Sequence, residues 1–122
     1  MNQVMDKGGF KGLIAWQKAY ELVLSIYKAT SDFPKAEIYG LTSQVQRAAV
    51  SVPANIAEGY ERQHKKEYKQ FLSIAKGSLG EIETYLLLSN DLKYITNDLF
   101  ESLESQRKEA ARLINGLIKS LA

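Results

Sequence analysis

The chain holds one histidine, His64, and no cysteine. Thiol chemistry, thiolate metal sites and disulfides are therefore excluded, and general-base or metal chemistry has a single imidazole to use. A di-iron carboxylate centre in a helical bundle needs Glu-x-x-His pairs from two helices. Glu61-Arg62-Gln63-His64 has that spacing once, at a predicted loop, so His64 reads as a solvated loop residue. No Gly-x-Ser-x-Gly elbow is present, and Gly77-Ser78-Leu79-Gly80 lies inside a helical pattern instead of at a strand-to-helix turn. A phosphate-cradling Gly-x-x-x-x-Gly-Lys loop is also missing. Glu81 and Glu83 stand two apart on a helix and so diverge, which denies them acid–base cooperation. These patterns point to no catalytic residue, no metal and no cofactor. The one enzymatic alternative is a cleft that gathers Glu58, Glu81 and Arg47 around a metal.

Two polar constellations remain. Arg62, His64, Lys65, Lys66 and Lys69 cluster at one predicted turn, with Tyr60 and Tyr68 interleaved. Cations neutralise phosphates and tyrosines stack on unpaired bases, so this cluster is a candidate nucleic-acid contact, with Arg47 joining it if exposed. The plainer reading is a solvated turn diluted by Glu61 and Glu67. The second constellation is Gln44, Arg47, Ser51, Asn55 and Glu58, spaced by three, four, four and three. Facing solvent, it needs no explanation. Facing the next helix near Ser78 and Glu81, it forms a buried hydrogen-bonded network in which Ser51 or Asn55 satisfies the carbonyl of Ala49 that Pro53 leaves free.

The elements that must position these residues are helical throughout. Helix A is expected over about Leu13–Ser31, with Trp16, Tyr20, Val23 and Tyr27 as its stripe and Pro34 beyond its end. Helix B is expected from Lys35-Ala36-Glu37 to about Tyr60, with Ile38, Leu41, Val45, Ala48, Val52 and Ile56 on one face. Pro53 falls inside that pattern and is read as a kink and not a stop, because the periodicity resumes in phase at Ile56. Helix C spans about Lys65–Asp91, with Tyr68, Phe71 or Leu72, Ala75, Leu79, Ile82 and Leu86 inward. Its central Gly77, Ser78 and Gly80 would admit a neighbouring backbone or mark a bend. Helix D runs from about Asp98 to Leu121, capped by Thr96-Asn97-Asp98, with a seam of Leu99, Leu103, Ala110, Leu113, Leu117 and Leu121 and Gln106 as its one polar position. The result is an all-α, antiparallel up-down four-helix bundle with a Pro53 kink in the second helix.

A length of 122 residues suits one domain over residues 1–122, with 1–12 as a flexible N-terminal tail. The net charge of +2 is too small to announce nucleic acid. It is unevenly spread: residues 1–76 hold 11 basic and 7 acidic side chains, and residues 77–109 hold 3 and 7. Such asymmetry suits self-association or a charged partner. Helices A and C carry more apolar surface than one core needs, which predicts a homo-oligomer. Met1–Gly9 has no apolar leader, and no apolar run approaches the ~18 residues of a membrane span, so a soluble, cytoplasmic protein without membrane contact is expected.

Ser51-Val52-Pro53-Ala54-Asn55-Ile56-Ala57-Glu58-Gly59 resembles the signature of the four-helix-bundle family encoded in intervening sequences of bacterial 23S rRNA genes, a ribosomal-protein-like family. Trp16-Gln17-Lys18-Ala19 is similar to the family's first helix. Phe33-Pro34 with Glu37-Ile38-Tyr39-Gly40-Leu41 is similar to its first turn, and Phe71 to Thr84 to its third helix. The likeness covers about Leu13 to Leu121. It implies an up-down bundle, a ring-like homopentamer and a relation to the accessory protein of diversity-generating retroelements. That accessory protein associates with a reverse transcriptase and is thought to bind nucleic acid through basic surface residues. The function expected is thus a non-enzymatic, oligomeric binding module for RNA or other nucleic acid. The alternative is a protein–protein scaffold that presents a charged ring surface to a partner protein.

Overall fold

A computed structural model describes residues 8–122. A short 3-10 turn (Phe10–Gly12) leads into α1 (Ile14–Thr30), a second 3-10 turn (Lys35–Glu37) precedes α2 (Leu41–Tyr60), and α3 (Lys65–Asp91) and α4 (Asn97–Ser120) complete the chain. The described residues contain no strand. Each helix packs on two others, α1 with α2 and α4, and α3 with α2 and α4, while the diagonal pairs stay apart. The register is antiparallel: Gly59 faces Tyr68 and Phe71, whereas Ser51, eight residues earlier, faces Ser78. The protein is therefore an all-α, up-down four-helix bundle. No helix of the described residues is long and apolar enough to cross a membrane. Of the tail expected over 1–12, residues 1–7 lie outside the described residues; the Phe10 ring stands 5.3 Å from that of Trp16.

Helix α2 begins later than the periodicity suggests. Lys35–Glu37 form a separate turn, Gly40 has non-helical angles (φ −114°, ψ −115°), and the helix starts at Leu41. The cap comes from one turn back, where Glu37 Oε1 accepts the Leu41 N–H at 3.0 Å. The other Glu37 oxygen accepts the Tyr94 hydroxyl at 2.9 Å, tying this turn to the α3–α4 loop. These two hydrogen bonds, that from Leu41 first, hold the Glu37 carboxyl below its ordinary value of 4.5. Helix α2 then runs without a break across Pro53, which is itself buried. Helix α3 ends with Lys93 in the left-handed region (φ 64°), where Tyr94 N–H reaches the Ser89 carbonyl and Lys93 N–H that of Asn90, a Schellman closure built without glycine.

The core phase agrees with the pattern in α3 and, from Leu41 on, in α2; it differs at Ile38, which precedes α2 and is exposed, and in α1 and α4. In α1 the buried residues are Ala15, Ala19, Leu22, Ile26 and Thr30; Tyr20, Leu24 and Tyr27 face outward. This inner face, small at Ala15 and Ala19 and large at Leu22 and Ile26, packs against α2 and α4. The aromatic stripe one position along is left at the rim, where Trp16 stacks on Tyr20 at 5.0 Å. In α4 the inner face is Leu103, Arg107, Ala110 and Ile114, so the polar position in the seam is Arg107 and not Gln106.

The small residues also act where the pattern did not place them. Gly77 and Gly80 have open space where a Cβ would stand. The close approach is at Gly59, where a Cβ would sit 2.9 Å from both Phe71 Cβ and Tyr68 Cδ1. Gly59→Ala should therefore lower the melting temperature, overpacking of ~1–3 kcal/mol outweighing the ~1 kcal/mol gain in helix propensity. Gly80→Ala should raise it by the propensity term alone. Thermal unfolding of the pair checks this, since equal shifts would mean that the α2–α3 contact is slack. The Glu37 cap gives a second expectation. A depressed carboxyl contributes stability above its ordinary value and loses it as pH falls through the lower folded value. Glu37→Gln, which keeps an acceptor, should show a smaller loss of melting temperature from pH 5 to pH 3 than the parent protein; superimposable pH profiles would contradict it.

Candidate nucleic-acid interface

The α2–α3 turn is a basic hook. Helix α2 stops at Tyr60, four residues follow, and α3 restarts at Lys65 with no side-chain cap from His64. Lys65 and Lys66 are exposed in the first turn of α3, and Lys69 is half-buried. Among the described residues none of the three has a carboxylate within salt-bridge distance. The uncapped N-terminus of a 27-residue helix adds its own positive field at that point.

The structure separates the other expected members. Arg62 bonds Glu58 (Nη2 to Oε2, 2.7 Å) and lies over the Phe71 ring at 5.0 Å, so its charge is already answered within the chain. Arg47 is exposed but sits 15 residues before Arg62, ~22 Å along the helix. Tyr60 is exposed. Tyr68 is turned inward against Gly59, with its ring edge-on to Tyr60 at 6.2 Å, and so offers no stacking face. Its hydroxyl is buried without a hydrogen-bond partner among the described residues. That burial, and then the neighbouring Tyr60, push the Tyr68 phenol above its usual range.

Of the polar stripe of α2, Ser51 and Asn55 are half-buried toward α3, whereas Gln44, Arg47 and Glu58 are exposed. Ser78 Oγ donates to Ser51 Oγ at 2.9 Å, and the Asn55 amide donates to the Ser51 carbonyl (2.8 Å) and to Ser51 Oγ (3.0 Å). Asn55 thus bonds back to Ser51, not to the carbonyl of Ala49 that Pro53 leaves free. Gln44, Arg47 and Glu81 line an open groove of about 410 Å³ beside Ser51 and Ser78. Glu58 belongs to the Arg62 pair and not to this network. Among the described residues no three His, Asp or Glu side chains are placed to hold a metal ion.

The four-helix fold has relatives. The family model described as 23S rRNA-intervening sequence protein matches residues 11–116. The chain belongs to the 23S rRNA-intervening sequence protein family. A crystal structure of a protein of unknown function from the S23 ribosomal protein family of Bacteroides thetaiotaomicron is similar at 27% identity with a TM-score of 0.78, covering 87% of this chain and 99% of that one. None of the curated proteins matches it.

This member of the intervening-sequence family also buries an ion pair that sequence reasoning missed. Arg107 and Glu104, 8% and 6% exposed, are joined by two hydrogen bonds of 2.7 and 2.9 Å, and Arg107 reaches Glu83 of α3 at 3.3 Å. The bonds to Glu104 raise the Arg107 guanidinium further above its usual value. The signal was a Glu-x-x-Arg spacing inside an apolar seam, where a buried charge survives only if paired. A further, partly buried bond, Gln46 Nε2 to Thr30 Oγ1 (2.9 Å), joins α2 to the end of α1. For the α2–α3 network, Asn55→Ala should cost ~1 kcal/mol, one to two net hydrogen bonds, and lower the melting temperature. An unchanged melting temperature would show that water replaces the amide at no loss.

Proposed function

We propose that the protein is a non-enzymatic, oligomeric binding module for RNA or other nucleic acid, with the basic hook as its contact. The observation that carries this reading is the pair Lys65 and Lys66, exposed and without a carboxylate partner at the uncapped start of α3. Lys69 borders the pair, and exposed Tyr60 offers a ring to an unpaired base. Arg62 contributes less, because Glu58 neutralises it and Phe71 holds it. Arg47 stands apart from this surface. No cofactor is needed for such a role, and a cysteine-free chain suits the cytoplasm.

The oligomer is part of the proposal. Tyr20 and Leu24 on α1, and Ile74 and Leu88 on α3 with Leu92 just past its end, are large exposed apolar side chains on two different helices. Two unlike faces favour head-to-tail contacts that close into a ring, which agrees with the pentamer that the family resemblance implies. The same apolar faces support the second reading, a scaffold or accessory subunit that presents its charged surface to a partner protein such as a reverse transcriptase.

Fluorescence anisotropy with a labelled structured RNA across a salt series tests the first reading. Binding should weaken steeply with salt, and Lys65→Ala/Lys66→Ala/Lys69→Ala should reduce the slope of log K against log salt by ~2. Arg62→Ala should change affinity less than either exposed lysine does. No binding at low salt would remove the nucleic-acid reading and leave the protein scaffold.

A further inference from the structure

The end of the bundle opposite the hook carries a second concave surface. Where α1 ends and α2 begins lies a groove of about 490 Å³, within the ~300–1,000 Å³ of small-ligand clefts. Its aromatic surface is open: Tyr27 is 46% exposed and Tyr39, at the tip of the α1–α2 connection, is 95% exposed. A tyrosine with its ring almost wholly in water gains nothing from folding. Its charges have one sign. Lys35 and Arg47 line the groove, no carboxylate does, and neither cation has an acidic partner within 4 Å among the described residues. The other side-chain chemistry is that of base recognition. Gln46 spends one N–H on Thr30 Oγ, which leaves a second N–H and a carbonyl oxygen for a ligand.

Aromatic faces, cations without counter-charges and a donor–acceptor amide are the parts that hold a nucleotide of a single strand. A second copy of the chain seated here would have to meet Lys35 and Arg47 with carboxylates. A neutral apolar ligand would leave both cations unanswered. We propose that this groove accepts an unpaired nucleotide of a single-stranded nucleic acid, its base on the Tyr27 and Tyr39 rings and its phosphate against Lys35 and Arg47. The ligand class is that of the hook, but no residue is shared, so either site can fail alone.

Photocrosslinking of a short single-stranded RNA carrying 5-iodouridine, with the modified peptide located by mass spectrometry, tests the placement. The expected result is uridine attached to Tyr27 or Tyr39, and retained in Lys65→Ala/Lys66→Ala/Lys69→Ala. Anisotropy with the same strand should show Tyr27→Ala/Tyr39→Ala weakening binding about 5-fold or more, the loss of one stacked base. Both tyrosines are exposed, so the variant should keep its fold, which circular dichroism checks. Crosslinks confined to the hook, no crosslink at all, or unchanged affinity in the double variant would overturn the proposal. So would a loss of assembly mass in that variant on sedimentation, which would assign the groove to contact between copies.

Discussion

The close approach of α2 to α3 is the constraint on which the rest of the molecule depends. At Gly59 there is no room for even a methyl group, and the two helices begin their shared seam there, one residue before the turn. With the start of the seam fixed, the register eight residues on brings Ser51 onto Ser78, and Arg47, Glu81 and Tyr85 to the rim of one open groove. The same contact decides the chemistry of the hook. Gly59 takes up the Tyr68 ring and draws Phe71 under Arg62, so the surface that remains consists of Lys65, Lys66 and Tyr60. A larger residue at 59 would push all of these outward together.

Polar groups inside the bundle specify its geometry more than they add to its stability. Glu104 and Arg107 lie one turn apart on α4, and Glu83 approaches from α3. Desolvating such a pair costs about as much as its attraction returns, but separating its members leaves a buried charge alone, at ~3–5 kcal/mol. The pair therefore penalises any rotation of α4 that would bring the regular leucine seam fully inward. Glu37 does comparable work at the end of the bundle where α2 begins, where one carboxylate caps α2 and holds Tyr94 of the α3–α4 loop. The bundle is thus pinned by directional bonds near its middle and at the end that carries the α3–α4 loop, and the apolar layers around them need only to fill space.

The surface left over is partly sorted by kind. Apolar side chains gather on the outer faces of α1 and α3, and most of the carboxylates on α3 and α4. Among the described residues, cations without an ion-pair partner stand at the hook, at the α1–α2 groove and at Lys11, Lys28, Lys76, Lys93, Lys108 and Lys119. A monomer that gained nothing from its surface would mix these. Segregation of this type suits a protein that meets several copies of itself on some faces and an anionic partner on others.

The pattern of apolar residues alone determined that the chain is helical, that there are four helices, and that α2 and α3 turn Val45, Val52, Ile56, Leu79 and Ile82 inward, because a strongly amphipathic helix has only one face to bury. The hook was legible as a charge cluster, and the Ser51–Asn55–Ser78 contacts as a spacing of polar residues beside that face. What the tertiary structure alone decided is which of two adjacent stripes enters the core where a helix is apolar on more than one side. In α1 Ala15, Ala19, Leu22 and Ile26 go in and Tyr20 and Tyr27 stay out, because a buried phenol needs a hydrogen-bond partner that these apolar side chains do not. It also decided which charges are spent, Arg62 on Glu58 and Arg107 on Glu104 among them, and that Lys65, Lys66, Lys35 and Arg47 are among the cations without an ion-pair partner in the described residues. A sequence shows that a charge exists. Only the packing of neighbouring helices shows what stands within 4 Å of it.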